Sequence, residues 1–455
     1  MALGSARHQK PAQAGRVVDG SGEAATGDGR DEARLARHGK DDSGQDLLAQ
    51  VLSKANMATA WKRVKANRGS AGVDGLSVAQ TAEYLKTHWP RAREELRTGC
   101  YRPQPVRRVQ IPKAGGGLRE LGIPTVTDRL IQQAILQVLQ PMIDPTFSES
   151  SYGFRPGRRA HDAVLKAQRY VQEGRRIVVD VDLEKFFDRV NHDVLMDRLA
   201  KRIADPAVLR LIRHYLNAGI MDHGIVNERF EGTPQGGPLS PLLANVLLDE
   251  VDRLLEKHGQ CFVRYADDCN VYVRSRRAGD RVLAGLRRCY ARLRLTVNES
   301  KTAVAPARGR KFLGYSFWMA AGGAVKRGVA AKSLATFKTR IRQLTRRSSG
   351  RSLDQVAEQL RLFIPGWKAY FHLAQTPSVF RELDEWLRHR FRALQLKQWR
   401  RPRTIFRAVR ALGGTVDQAA KAASTSGRWW QGSHLLLNAV MPIAFFDRLR
   451  VPRLA

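Results

Sequence analysis

The stretch Phe262-Val-Arg-Tyr-Ala-Asp-Asp-Cys-Asn-Val-Tyr-Val273 sets two apolar, β-prone runs around adjacent carboxylates, Asp267 and Asp268. It predicts a hairpin over Cys261–Val273 with both acids at or near the turn, exposed at one end of a sheet. Adjacent aspartates between strands are often turn residues and nothing more. A second acidic strand changes the balance. In Arg176-Ile-Val-Val-Asp-Val-Asp-Leu-Glu-Lys-Phe-Phe-Asp188, a period of two puts Asp180 and Asp182 on one face. Ile177, Val179, Val181 and Leu183 take the other. Carboxylates in so apolar a strand are costly to bury unpaired. Either they pair with the abundant Arg and Lys, or they share a cation with Asp267 and Asp268. Hard oxygen donors suit Mg²⁺. Three carboxylates holding two Mg²⁺ ions fit in-line phosphoryl transfer, one ion activating a 3′-hydroxyl and the other steadying pyrophosphate.

The charge balance names the partner class. Among 455 residues, 78 Lys and Arg face 43 Asp and Glu, a net charge of +35. That argues against an ordinary acidic metabolic enzyme and for a polyanion, nucleic acid ahead of an anionic membrane. Residues 1–46 carry net −1, residues 47–300 net +13 and residues 301–455 net +23. Between Lys301 and Gly350 stand twelve basic residues and no acidic one. A solvated face mixes signs, so this stretch reads as a phosphate-binding surface.

Other classes drop out. Cys100, Cys261, Cys269 and Cys289 form no C-x-x-C pair, so neither a zinc knuckle nor a disulfide framework is expected. The start, MALGSARHQK, has no apolar core. No apolar run reaches the ~18 residues of a membrane span. The longest, Leu435 to Phe446, is broken by Asn438 and Pro442 and reads as a buried core segment. A cytoplasmic protein without membrane contact is the expectation.

Along the chain, residues 1–46 are Gly-, Ala-, Asp- and Arg-rich, with no aromatic before Trp61, and read as a disordered tail. Residues 47–99 read as helical, interrupted by GSAGVDG at Gly69–Gly75. Val106–Pro112 reads as a strand, followed by a glycine-loaded loop or hairpin, and Asp128–Leu139 as a helix. Beyond Gly328 the pattern is helical and basic, with Lys326, Arg327, Lys332, Lys338, Arg340, Arg342, Arg346 and Arg347 crowding one helical segment. Ser352 and Gln355 predict a capping box. Pro365 and Gly366 should interrupt the helix it opens.

Taken in order, these pieces resemble a bacterial group II intron-encoded reverse transcriptase and maturase. The resemblance covers roughly residues 47–455. It rests on NRGSAGVDG (67–75), IPKAGGGLRELGIPTVTDRLIQQAI (111–135), SYGFRPGRRAHDAV (151–164) and DVDLEKFFDRVNHDVL (180–195). GTPQGGPLSPLLANVLLDEVD (232–252), YADD (265–268), LRLTVNESKT (293–302), KFLGYSF (311–317) and IPGWKAYF (364–371) follow. The implied fold is α+β: a right-hand polymerase, fingers and palm with an antiparallel sheet, then a helical thumb and maturase domain. The implied boundaries are a helical extension over 47–99, fingers and palm over 100–320, thumb or maturase region over 321–412, and a DNA-binding segment over 413–455.

The resemblance also assigns roles. Asp182, Asp267 and Asp268 become the catalytic triad, with two Mg²⁺ ions held at Asp182, Leu183, Asp267 and Asp268. Asp180 shares the face but lies outside the motif's catalytic position. Phe187 falls where the family places an aromatic gate against a 2′-hydroxyl; otherwise it is a core aromatic beside Phe186. Gln235 would touch the incoming nucleotide or its template partner. Lys113 and Arg119 would grip the triphosphate, and Lys301 would lie near the active site. Partners implied are group II intron RNA, an RNA template with a DNA primer, target DNA and dNTPs. With no cysteine after Cys289, the metal-binding endonuclease segment of many relatives is not expected. A domesticated reverse transcriptase, in phage defence for example, and an RNA-binding splicing factor with a vestigial polymerase site stay as alternatives.

Overall fold

A computed structural model describes residues 47–455 except 113–116, 223–224, 228–230, 234–235, 349 and 436. The expected tail over 1–46 lies outside the described residues, as do Lys113 and Gln235. The chain divides into two compact units between Ala305 and Pro306.

The first unit is organised by the two acidic segments. Strand β3 (Ile177–Val181), β6 (Cys261–Tyr265), β7 (Asp268–Val273) and β8 (Ala303–Pro306) form one sheet in the order β6-β7-β3-β8. β7 runs antiparallel to both β6 and β3. Valines dominate β3, where branched side chains fit a pleated surface, and Val178, Val179 and Val181 are buried. Helices Ser240–Lys257 and Arg276–Arg292 pack against this sheet, and the first is buried on most of its circumference. A second sheet has the order β2-β1-β4-β5, built from β1 (Val106–Pro112), β2 (Leu118–Ile123), β4 (Ile220–Asp222) and β5 (Ile225–Asn227). The expected helix at Asp128–Leu139 extends over Val126–Ile143, started by the Thr125 side chain accepting from the amide of Asp128. Three helices, Leu47–Val51, Lys54–Asn67 and Val78–Thr98, occupy the expected helical stretch before it.

The second unit begins with the sheet β9 (Lys311–Phe312), β10 (Tyr315–Met319) and β11 (Val325–Val329), then becomes wholly helical. Two expectations are corrected here. Lys326 and Arg327 lie on β11, not on a helix, because the glycine turn after Met319 folds the chain back. Arg327 then pairs with Phe317 and Lys326 with Trp318. The helix opened by the Ser352–Gln355 capping box is not interrupted at Pro365; it runs from Leu353 to Tyr370. Proline in a helix costs about 3 kcal/mol through the lost N–H and ring clash. Packing outweighs that here: Leu360 and Ile364 are buried, and Trp367 packs, tilted, 4.4 Å from Phe337 and 4.6 Å from Phe371. Breaking the helix would scatter that cluster. The segment around Leu437, Val440, Met441 and Phe446 is buried, as its apolar run predicts.

Candidate active site

The hairpin turn between β6 and β7 is two residues, Ala266 and Asp267, since Tyr265 faces Asp268 across the ladder. Ala266 has φ 57, the left-handed region that so tight a reversal demands. Asp268 begins β7 and is exposed; Asp267 is half-buried. β3 pairs with β7 through Val181 and Cys269, so Asp182, one residue beyond, emerges beside this turn.

The electrostatics record the approach. Burial, and then the charge of Asp182, push the Asp267 carboxyl above its usual range, while Arg119 and Arg264 pull it back. Three expected residues, Asp182, Asp267 and Arg119, therefore share one field although they come from β3, the β6–β7 turn and β2. Asp182 keeps 42% of its side-chain surface exposed and pairs with Lys301 at 3.3 Å. The backbone around Asp182 is clamped by the segment that carries Lys301. Asn298 donates its amide to the Asp182 carbonyl at 2.8 Å, and the Thr302 hydroxyl accepts from the Asp182 amide at 3.2 Å. Leu183, itself buried, bridges to Val297.

Asp180 has a different environment. It faces Asn270 across the ladder, and the Asn270 amide nitrogen, turned toward it, donates at 3.0 Å. That partner explains a carboxylate on this strand without a cation.

Phe187 sits in a short 3₁₀ turn, Phe186–Asp188, entered through a left-handed Lys185. It is half-buried, meets Phe186 edge-on at 5.1 Å and so keeps an open side. The loop entering GTPQGG lies directly against this turn. Thr233 donates its amide to the Phe187 carbonyl at 2.7 Å, and Gly232 donates to Val190 at 2.7 Å. Gly232 has φ 89, and a Cβ there would press on the carbonyl of Asp188, so only glycine fits. The His192 ring holds the Gly232 carbonyl at 2.7 Å. Gln235, two residues beyond Thr233, lies outside the described residues.

Sequence reasoning missed Arg264. Its side chain is 0% exposed and grips Asp252, also 0% exposed, from 2.5 to 3.0 Å. It also donates to Asn245 and to the Ala266 carbonyl, each at 2.9 Å. An arginine inside FVRY is a detectable signal, since a charge there needs a buried partner, but the partner's position is not.

Among the described residues, no group of three or more His, Cys, Asp or Glu side chains is arranged to hold a metal ion. The donor chemistry nonetheless suits a divalent cation: Asp182 and Asp267 offer carboxylate oxygens whose repulsion a cation would relieve, and Asp182 already attracts the Lys301 ammonium.

In the second unit, the Trp386 ring has Lys338, Arg342 and Arg390 within 5.9, 5.6 and 5.3 Å of its centre. Burial, and then Arg342 and Arg347, lower the Arg390 pKa to about 10. No carboxylate pairs with these four cations among the described residues. No helix among those residues is long and apolar enough to cross a membrane.

Comparison with known proteins gives two family matches and several relatives. Residues 111–317 match the model of the reverse transcriptases (RNA-dependent DNA polymerases), and residues 334–412 match that of the group II intron maturase-specific domain. The chain is 36% identical to Protein YkfC of Escherichia coli K12 over 47% of its own length and 58% of that protein's. It is 36% identical to the group II intron-encoded protein LtrA of Lactococcus lactis over 43% of its length and 33% of LtrA's. A putative COX1/OXI3 intron 2 protein of Saccharomyces cerevisiae is 29% identical over 48% of this chain and 26% of that one. The matches therefore span less than two thirds of each relative, from 58% down to 26%.

Proposed function

Because the chain carries a reverse transcriptase domain followed by a group II intron maturase-specific domain, we propose that it is an RNA-directed DNA polymerase that also binds intron RNA to assist splicing and mobility. One observation carries the polymerase reading: Asp182 and Asp267 converge at the end of one sheet with Arg119 in their field. Reverse transcriptases use divalent metals; two Mg²⁺ ions would be held here by Asp182, Asp267, Asp268 and the main-chain carbonyl of Leu183. Bound there, they would supply Lewis-acid stabilisation of an in-line phosphoryl transfer.

The chain's own residues do the rest. Arg119, with Lys113, grips the triphosphate of a dNTP through charge-assisted hydrogen bonds. Lys301 steadies Asp182 before substrate arrives and a phosphate oxygen afterwards. Phe187 presents its open side to the sugar, where a 2′-hydroxyl would collide with the ring. Gln235 contacts the nascent pair. The cations around Trp386, in the maturase-specific segment, track the phosphates of structured RNA, which would serve both splicing and template binding.

The test is primer extension on an RNA template with dNTPs and Mg²⁺, comparing the intact protein with Asp267→Asn/Asp268→Asn. Extension by the first and not the second supports the polymerase. A folded, RNA-binding wild type that extends nothing overturns it and leaves a splicing factor. Splicing of an intron RNA flanking the coding region then separates the maturase from a domesticated enzyme.

A further inference from the structure

Segment 150–155 runs beside the β6–β7 hairpin, and its register brings Gly153 to the turn that carries Asp267. Arg264 donates its amide to the Ser150 carbonyl, and Tyr152 donates to the Arg264 carbonyl, each at 2.9 Å. Ser151 and Arg264 form a parallel bridge. Counting forward in step, Gly153 comes abreast of Ala266, where both segments turn, and Phe154 follows it. Gly153 confirms the register, because a Cβ there would collide with the amide nitrogen of Ala266.

Phe154 itself is anomalous in two ways. Its φ is 61, a left-handed conformation that a bulky side chain adopts only under constraint. The residue is nonetheless 46% exposed, with no ring or cation partner among the described residues. Packing does not account for the strain. Both neighbours are fixed independently: Asn245 donates to the Gly153 carbonyl at 2.9 Å. Arg155, buried, pairs with Asp144 at 3.0 Å and donates to the carbonyls of Ser148 at 2.6 Å and Ser151 at 3.1 Å. The conformation is over-determined, as strained residues at functional sites are. The same Asn245 and Arg264 also hold the Asp267 turn, so one buried network positions both residues.

We propose that Phe154 is a substrate-contacting residue whose ring packs against the 3′-terminal nucleotide of the primer. A strained, exposed aromatic next to the turn that carries Asp267 is what a nucleotide can stack on without regard to base identity. This rests on the polymerase reading above.

The test exploits the strain. Phe154→Gly relieves the left-handed backbone, so its melting temperature should equal or exceed that of wild type. Its KM for the RNA-template/DNA-primer duplex should rise about tenfold, while the KM for dNTP stays within twofold. Phe154→Trp should retain primer KM. A purely structural role predicts that stability and activity fall together, which would overturn the proposal. So would an unchanged primer KM, or a change confined to dNTP. A wild type that extends no primer would instead refute the polymerase reading itself.

Discussion

The Lys301 ammonium lies 3.3 Å from a carboxylate oxygen of Asp182, although 119 residues separate them in the chain. The segment that carries Lys301 also clamps the Asp182 backbone, which holds the lysine next to Asp182. On the polymerase reading, an ammonium there would compete with a divalent cation for Asp182 and attract the phosphates of an incoming nucleotide.

Lys301→Met should therefore move two constants in opposite directions. The KM for dNTP should rise about tenfold, and the Mg²⁺ concentration for half-maximal extension should fall. Steady-state extension over Mg²⁺ and dNTP grids measures both. A rise in both would show that Lys301 helps to assemble the metal site instead of competing with it.

Phe187 should govern sugar choice. Phe187→Val keeps a branched apolar side chain against Phe186 but removes the ring. Incorporation of rNTP relative to dNTP should increase at least tenfold, equivalent to about 1.4 kcal/mol of discrimination. Competition assays read this ratio directly, and an unchanged ratio would reassign Phe187 to the core.

The Arg264–Asp252 pair should be far more costly to halve than to replace. Removing one partner leaves a buried charge and typically costs about 3–5 kcal/mol, whereas an apolar pair of similar volume can be neutral. Arg264→Met should lower the urea midpoint strongly, and Arg264→Met/Asp252→Leu should recover much of the loss. Extension should not recover with it, because the double variant still lacks the bond to the Ala266 carbonyl.

Asp128 should make stability depend on pH. It is buried beneath Tyr101, whose hydroxyl donates to it at 2.9 Å, and it accepts from Thr125 at 2.6 Å. Burial raises its pKa to about 6, against hydrogen bonds that lower it. A carboxyl with a raised folded pKa holds its proton more tightly folded than unfolded. Its contribution is therefore full below the unfolded value near 4 and is lost as pH climbs to about 6. The loss is on the order of 3 kcal/mol. Melting of wild type minus Asp128→Asn between pH 4 and 7 isolates it, and a flat difference would show that Asp128 is not so perturbed.

Local pattern sufficed for much of this protein. Alternation of Val and Asp in β3, the two β-prone runs around Asp267, and the Ser352–Gln355 cap are short-range signals, and each forms where its residues place it. The basic, acid-free stretch after Lys301 needs only counting. Tertiary structure decided the rest. Asp182 meets Asp267 because β3 pairs with β7 in a register set by buried valines, and Lys301 meets Asp182 only after that sheet forms. Pro365 stays inside a helix because Phe337, far away in sequence, packs against Trp367. Arg264 is a buried charge whose tolerance depends on Asp252 from another element. Periodicity encodes which face of an element is apolar. Which partner that face or charge meets is set by packing across the whole chain, and a window of sequence does not contain it.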